Sequence, residues 1–417
     1  MSLGSQLVLG KGIVVESAGT GRLENQSIDI LADEFVQNGP EVKVRWVCNY
    51  FESSAEDHGV TFEQVAQHFA KHGTIQRAYQ MPTSPGLKTQ SKTPAAHYGG
   101  EDITIQAKWH FATASFISDT VVKAIAGSDG SRVEAVFSPN GERLEAFSDE
   151  HRITKRYNDM DELLSDPDVD VIYIGLPILA TTMEDSITMI EVLKEASAFF
   201  LEGLMYLSHL VHVKVAEIIS SGALGKVSGV SGYHAANICK KANPLDQGTI
   251  YNLGCYLVSL LHFVMETAYG KEAFASRQVC GLGNISTESS VHARDAALMA
   301  RFGSGVLATI QSTDSFGNDF SFTIQGDKAV LKFKTNPWLP IAGDNNIQVR
   351  TYGGATEQII VPAELDAFGY QVKVVEEGVA SGIKEAARPS PNWTHSLEIM
   401  GLLTEWENDI KRRAAQD

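Results

Sequence analysis

The sequence predicts an α/β protein: a parallel-sheet domain, then an α+β domain built on an open, mostly antiparallel sheet. Three observations carry this expectation. From residue 104 onward, short apolar runs alternate with stretches whose apolar residues recur at helical spacing. The runs VEAVFS and VDVIYIGLP are almost continuously apolar, as strands covered on both faces must be. Past about residue 225 the texture changes to period-2 segments joined by glycine-containing turns, which suits antiparallel strands with one face in water.

The elements follow in order. TIQAKWHFAT (104–113) reads as a strand and SDTVVKAIAGS (118–128) as a helix. RVEAVFS (132–138) is a second strand, NGERLEAFSDEH (140–151) a helix, MDELLSD (160–166) a short helix and VDVIYIGLP (169–177) a third strand. TMEDSITMIEVLKEA (182–196) is a long helix, SAFFLEG (197–203) a fourth strand, and HLVHVKVAEIISSG (209–222) a helix closed by Gly222. KVSGVSGYHAAN, SRQVCGLGNIS, DAALMARFGSGVLATIQST and FSFTIQGDKAVLKFKT then read as strands. SLEIMGLLTEWENDIKRRA (396–414) is a terminal helix whose basic residues sit in its last turns, where they suit the helix dipole. Three regions result: an N-terminal extension of uncertain fold (1–103), a dinucleotide-binding type of domain (104–205) and a C-terminal α/β domain (206–417). Inside the extension, GIVVES (12–17) and VKVRWVCNYF (42–51) have strand-like composition, and TFEQVAQHFAKHG (61–73) has one apolar helical face.

Bulk properties narrow the function. The 417 residues carry a net charge of −17, which opposes nucleic acid and anionic membrane surfaces and suits small-molecule chemistry. Cys48, Cys239, Cys255 and Cys280 are scattered without a CxxC, as free thiols of a reducing, cytoplasmic compartment would be. The N-terminus lacks a basic start followed by an apolar core, and no apolar run reaches the ~20 residues of a membrane helix.

The turn after the first strand, FATASFIS (111–118), lies where a phosphate-binding loop opens a helix. Such loops use glycine for a tight turn and for close approach of backbone to pyrophosphate. Here Ala112, Thr113, Ala114, Ser115, Phe116 and Ile117 stand instead. Small side chains preserve close approach, so on spacing alone the stretch reads either as a modified nucleotide loop or as a plain tight connection. The second strand ends in Ser138, Pro139 and Asn140, with Arg143 following. An acidic residue there would grip the ribose hydroxyl of NAD; its absence beside an arginine leans towards the 2′-phosphate of NADP. Farther on, QGTIYNLGCYLVSLLHF (247–263) joins a glycine turn to an apolar helix bearing Tyr256 and His262, with Tyr251 just before it. A tyrosine can donate a proton to a carbonyl, and it can equally be a packing residue with a bonded hydroxyl. His209, His212 and His234 lack metal-ligand spacing.

Taken together, FATASFISDTVVKAI, VEAVFSPNGERLEAFSDEH, MDELLSDPDVDVIYIGLP, EGLMYLSHLVHVKVAEIISSGALGKV, GTIYNLGCYLVSL and FTIQGDKAVLKF resemble the glucose–fructose oxidoreductase / inositol dehydrogenase (Gfo/Idh/MocA) family of NAD(P)-dependent oxidoreductases, over about residues 105–415. The resemblance implies a Rossmann-type domain, then a domain on an open sheet through which members often form homo-oligomers. It implies hydride transfer between a nicotinamide and a sugar or polyol carbon. Carried over, Ser138 and Asn140 fall at cofactor ribose contacts, Leu176 and Pro177 on the loop after the third strand, and Tyr256 at the reacting carbon. The pattern is also broken. Ala112, Ala114 and Ile117 stand near fingerprint glycine positions, Asn252 replaces an aspartate, and the E-K-P motif is missing together with about one strand–helix unit. A buried parallel sheet cannot lose an internal strand without orphaning its neighbours' backbone groups, so the N-terminal extension is expected to cover the gap. Lys240 and Lys241, before the Tyr256 helix, are candidates for the missing cation. The other reading of these losses is a catalytically inactive relative that senses a nucleotide or binds a protein.

Overall fold

The computed structural model describes residues 12–17, 107–111, 116–166, 168, 170–176, 182–195, 199–238, 248–285 and 292–415. Six strands form a wholly parallel sheet: β1 (Gly12–Ser17), β2 (Ala107–Phe111), β3 (Ser131–Phe137), β4 (Lys155–Tyr157), β5 (Val171–Leu176) and β6 (Phe199–Gly203). The helices between them are α1 (Phe116–Ala126), α2 (Gly141–His151), α3 (Met160–Leu164) and α4 (Met183–Glu195). The strand order is β4-β3-β2-β5-β1-β6.

The gap in the parallel sheet is filled by GIVVES. β1 pairs with β5 from Gly12↔Val171 to Ser17↔Leu176, and with β6 from Gly12↔Phe199 to Glu16↔Gly203. A strand far upstream in sequence thus supplies the ladder partners that β5 and β6 would otherwise lack. VKVRWVCNYF and the helix expected at 61–73 lie outside the described residues.

The sheet core is dominated by large side chains. Trp109, Phe111, Tyr173, Phe199 and Phe200 are all buried, and the rings of Phe111 and Tyr173 lie 4.7 Å apart on neighbouring strands. Each such side chain contributes roughly 1.5–3 kcal/mol by leaving water. The outer edge of β6 is covered at its second residue, where Phe200 N–H donates to the Lys384 carbonyl at 3.1 Å.

The second sheet has eight strands: β7 (Val227–Ala236), β8 (Arg277–Ile285), β9 (Ala293–Phe302), β10 (Leu307–Thr313), β11 (Asn318–Gly326), β12 (Ala329–Phe333), β13 (Gly343–Thr351) and β14 (Thr356–Ala363). In the order β14-β13-β12-β11-β7-β10-β9-β8, only the β7–β10 pair is parallel. Helices α5 (Leu210–Ser220), α6 (Cys255–Tyr269), α7 (Ala367–Ser381) and α8 (Trp393–Ala414) complete the chain. Trp406 of α8 is fully buried and donates through Nε1 to the Ala297 carbonyl of β9 at 3.0 Å. It fits because Gly254 and Gly281 face it; a Cβ on Gly254 would meet its ring at 2.9 Å.

Candidate active site

All six parallel strands end on one side, and β2 and β5 are where the chain reverses its direction of travel across the sheet. In open α/β sheets the crevice outside the carboxyl ends at such a switch point is where ligands bind. The carboxyl ends of β2 and β5 border it. Ala112, Thr113, Ala114, Ser115 and Pro177 lie outside the described residues, as do Lys240 and Lys241. Phe116 opens α1, Ile117 is buried in its first turn, and Leu176 ends β5.

The end of β3 is better defined. Ser138 is buried; its N–H donates to the Tyr157 carbonyl at 3.1 Å, and its Oγ accepts from the Asn140 N–H at 3.2 Å. Asn140 caps α2, its Oδ1 accepting from the Arg143 N–H at 3.0 Å. These bonds hold the strand-to-helix turn and set Arg143 one turn into α2, on the carboxyl side of the sheet.

In the second domain the candidate chemistry begins at Gly248, whose φ of +72° and whose contact with Ala293 (2.4 Å to its carbonyl from an added Cβ) require glycine. A single wide π-helical turn follows, Ile250–Gly254, and leads into α6. Such turns are concentrated at functional sites. Asn252 is buried in this turn and donates through Nδ2 to Asp314 Oδ2 at 3.4 Å, the same oxygen that accepts from Arg294 Nη1 at 3.0 Å. Tyr251 is a packing residue: it is buried and donates to Glu407 Oε2 at 3.1 Å, and burial with the adjacent carboxylate holds its phenol well above the usual range.

Tyr256, the second residue of α6, sits in an aromatic nest. Its ring lies 5.9 Å from Tyr206 and 5.8 Å from His234. Its main-chain carbonyl accepts from Trp338 Nε1 at 3.0 Å and from the Tyr206 hydroxyl at 3.2 Å. Tyr206 comes three residues after the carboxyl end of β6 and also bonds Ser259 Oγ at 2.6 Å. The fold therefore brings Tyr256 beside the chain that leaves the parallel sheet. Tyr206, His234 and Trp338 were not expected as parts of the site. The pattern YHAAN shows one histidine in a strand, and nothing local in the sequence links it to Trp338.

Three other histidines hold structural positions. His209 caps α5, its Nδ1 accepting from the Val211 N–H at 3.2 Å, while Nε2 faces the Ile341 carbonyl at 3.3 Å. His212 is fully buried with Nε2 2.9 Å from the Pro337 carbonyl, and burial pulls its pKa down to about 3. His262 bonds Glu398 Oε2 at 2.5 Å and Arg388 at 2.7 Å.

Glu202, near the carboxyl end of β6, is buried, and its Oε2 accepts from Ser396 Oγ at 2.6 Å. Burial pushes its pKa from 4.5 up to about 7, the Ser396 bond pulling weakly the other way. The folded state therefore disfavours the carboxylate. Stability is full below pH 4.5, falls as pH rises from there through about 7, and is flat above. The loss amounts to about 3 kcal/mol. Glu202→Gln, which keeps the acceptor and removes the charge, is expected to gain roughly that amount at pH 8 and only about a quarter of it at pH 5. Urea denaturation at both pH values reads this out; equal gains at both would show that Glu202 is not held protonated.

A wholly parallel sheet with a switch point between β2 and β5, followed by a mixed sheet whose helix α6 packs on the chain leaving β6, is the architecture of the dinucleotide-binding oxidoreductase class. The chain belongs to the Gfo/Idh/MocA oxidoreductase family: residues 113–202 match the oxidoreductase family with an NAD-binding Rossmann fold, and residues 212–332 match the GFO/IDH/MocA C-terminal domain. Among relatives, the chain is 21% identical over 308 residues to a trans-1,2-dihydrobenzene-1,2-diol dehydrogenase of Xenopus tropicalis, covering 67% of this chain and 91% of that one. It is 24% identical over 256 residues to a 1,5-anhydro-D-fructose reductase of Ensifer adhaerens, covering 54% and 74%. Among solved structures, it is similar to the 3-ketoreductase KijD10 from Actinomadura kijaniata in complex with NADP (TM-score 0.62, 16% identity, 73% of this chain and 97% of that one). It is also similar to an aldose-aldose oxidoreductase from Caulobacter crescentus complexed with glycerol (TM-score 0.62, 17% identity, 74% and 98%). Among the described residues, no helix is long and apolar enough to cross a membrane.

Proposed function

We propose that the protein transfers hydride between a nicotinamide dinucleotide and a carbonyl or hydroxyl carbon of a sugar-like or other small molecule. The observation that carries this reading is the packing of Tyr256, at the start of α6, against Tyr206, at the exit from the parallel sheet. That contact sets a phenol near the edge where a dinucleotide would lie. The residues present fit the cofactor at the end of β3, where Ser138, Pro139 and Asn140 offer no carboxylate and Arg143 follows. Ser138, Asn140 and Arg143 would hold the ribose and favour NADP over NAD; the turn 112–117, with Leu176 and Pro177, would border the pyrophosphate and nicotinamide. When bound, the cofactor supplies or accepts the hydride. Tyr256 then gives its phenolic proton to the carbonyl oxygen in reduction, leaving an alcohol, and takes it back in oxidation.

The test is a fluorescence titration with NADPH and NADH, followed by turnover on a panel of sugars and aldehydes. Absence of nucleotide binding removes the enzyme reading. Binding without turnover favours an inactive relative that senses the nucleotide, a reading supported by the missing fingerprint glycines and missing E-K-P lysine.

The proposal includes a cytoplasmic homo-oligomer joined through the second sheet. Leu282, Met299 and Leu307 are 56%, 54% and 59% exposed. The cross-strand pairs Cys280↔Met299 and Met299↔Thr309 place all three on one face of β8, β9 and β10. Contiguous exposed apolar surface of this kind marks an interface. Met299→Glu combined with Leu307→Glu is expected to yield a monomer by sedimentation velocity; an unchanged sedimentation coefficient would remove this face from the assembly.

A further inference from the structure

Side chains from two helices of the parallel-sheet domain converge away from the nest around Tyr256. Asp119 stands in the first turn of α1, and Glu150 and His151 are the last two residues of α2. One carboxylate oxygen from each acid and one ring nitrogen of His151 all lie within 4.8 Å of one another. The His151 side chain is only 7% exposed, and its ring rests against Phe147, one turn earlier in α2, at 4.5 Å. Its Nε2 is buried and makes no hydrogen bond among the described residues, although Asp119 Oδ1 is 3.1 Å away. At that distance a missing bond means that the oxygen lies off the axis of the ring nitrogen. Two such atoms, side by side and turned past each other, are placed as ligands of a shared ion are. With metal–ligand bonds of about 2.0–2.2 Å, neighbouring ligand atoms sit about 3.0–3.5 Å apart.

We propose that Asp119, Glu150 and His151 form a binding site for a divalent transition-metal ion, with zinc the best match. An ion pair between Asp119 and His151 is a poorer account, because the buried Nε2 would then stay unbonded at a cost. Asp119 gives its other oxygen, Oδ2, to Lys123 Nζ at 2.7 Å, which holds the carboxylate in place and leaves Oδ1 on the His151 side. Glu150 is exposed at the carboxyl end of α2, where the helix dipole disfavours an anion and favours a cation. An imidazole with two carboxylates suits zinc, whereas calcium and magnesium take oxygen ligands. Three protein ligands leave a fourth position for water, on the side of the exposed Glu150. An ion bound there would tie α1 to α2. The unfolded chain lacks the preformed site, so binding would raise the Tm.

Zinc chloride, titrated calorimetrically into the full chain, tests the site. His151→Gln is expected to weaken zinc binding about a hundredfold and Glu150→Gln about tenfold. The zinc-dependent rise in Tm should vanish in His151→Gln. Because Glu150 is exposed, its replacement leaves the fold intact and keeps the result readable if His151→Gln does not fold. Glu145→Gln, on the same helix but outside the cluster, should bind zinc as the unsubstituted protein does. With cobalt(II) in place of zinc, the absorption that His151→Gln removes should consist of d–d bands without thiolate charge transfer. A thiolate band in that lost signal would place the ion on a cysteine and overturn the proposal. So would failure of the unsubstituted chain to bind zinc, or zinc binding that neither His151→Gln nor Glu150→Gln weakens.

Discussion

Val14→Pro is expected to destabilise the protein by about 3 kcal/mol or more. Val14 is the middle of β1 and pairs with Tyr173 on one side and Leu201 on the other. Proline has no N–H to give to the ladder, and its ring collides with the neighbouring strand, so it is confined to edges and bulges. In an edge strand the chain could shift away at little cost. In β1 it cannot, because β5 and β6 lie on both sides. The damage should spread: with β1 displaced, β5 and β6 expose N–H and C=O groups in the centre of a sheet that helices cover. Hydrogen exchange should therefore show lost protection in Val171–Leu176 and Phe199–Gly203, not only in Gly12–Ser17. A chain beginning at residue 104 should behave in the same way. If proteolysis left a fully stable fragment from there onward, or if Val14→Pro kept normal stability, β1 would not be an integral strand.

Tyr256→Phe should lower kcat by about a hundredfold or more while leaving NADPH affinity unchanged. The substitution removes one oxygen and keeps the ring that packs on Tyr206 and His234. The bonds that fix this part of α6 run to the Tyr256 main-chain carbonyl, from Trp338 and Tyr206, and so survive. A large loss of kcat without loss of stability would then report proton donation. Unaltered turnover would take Tyr256 out of the mechanism and return it to the packing role already filled by Tyr251, whose hydroxyl is bonded to Glu407.

The two tyrosines show how far the sequence reached. Both stand in GTIYNLGCYL at a glycine turn, and both were candidates on residue type alone. Their separation is decided by the π-helical turn Ile250–Gly254, which aims Tyr251 at α8 and Tyr256 at the exit from β6. That turn leaves no periodic signature over so few residues. Gly248 and Gly254 are its visible traces, and their reasons, the Ala293 carbonyl and the Trp406 ring, lie 45 and 152 residues away. His209 and His212 make the same point: their spacing gave no metal pair, and only the contacts to Ile341 and Pro337 identified a cap and a core residue.

By itself the sequence determined the alternation of apolar strands with one-faced helices from residue 104 and the change to period-2 strands beyond 225. Those are local patterns, written in the spacing of neighbouring residues, and backbone geometry translates them directly. The tertiary structure alone decided that GIVVES closes the gap between β5 and β6, and that His234, Trp338 and Tyr256 share one nest. Each joins segments far apart in the chain. Such contacts depend on which strand faces were left unpaired and which side chains the packed layers bring together, and no periodicity in the sequence records that.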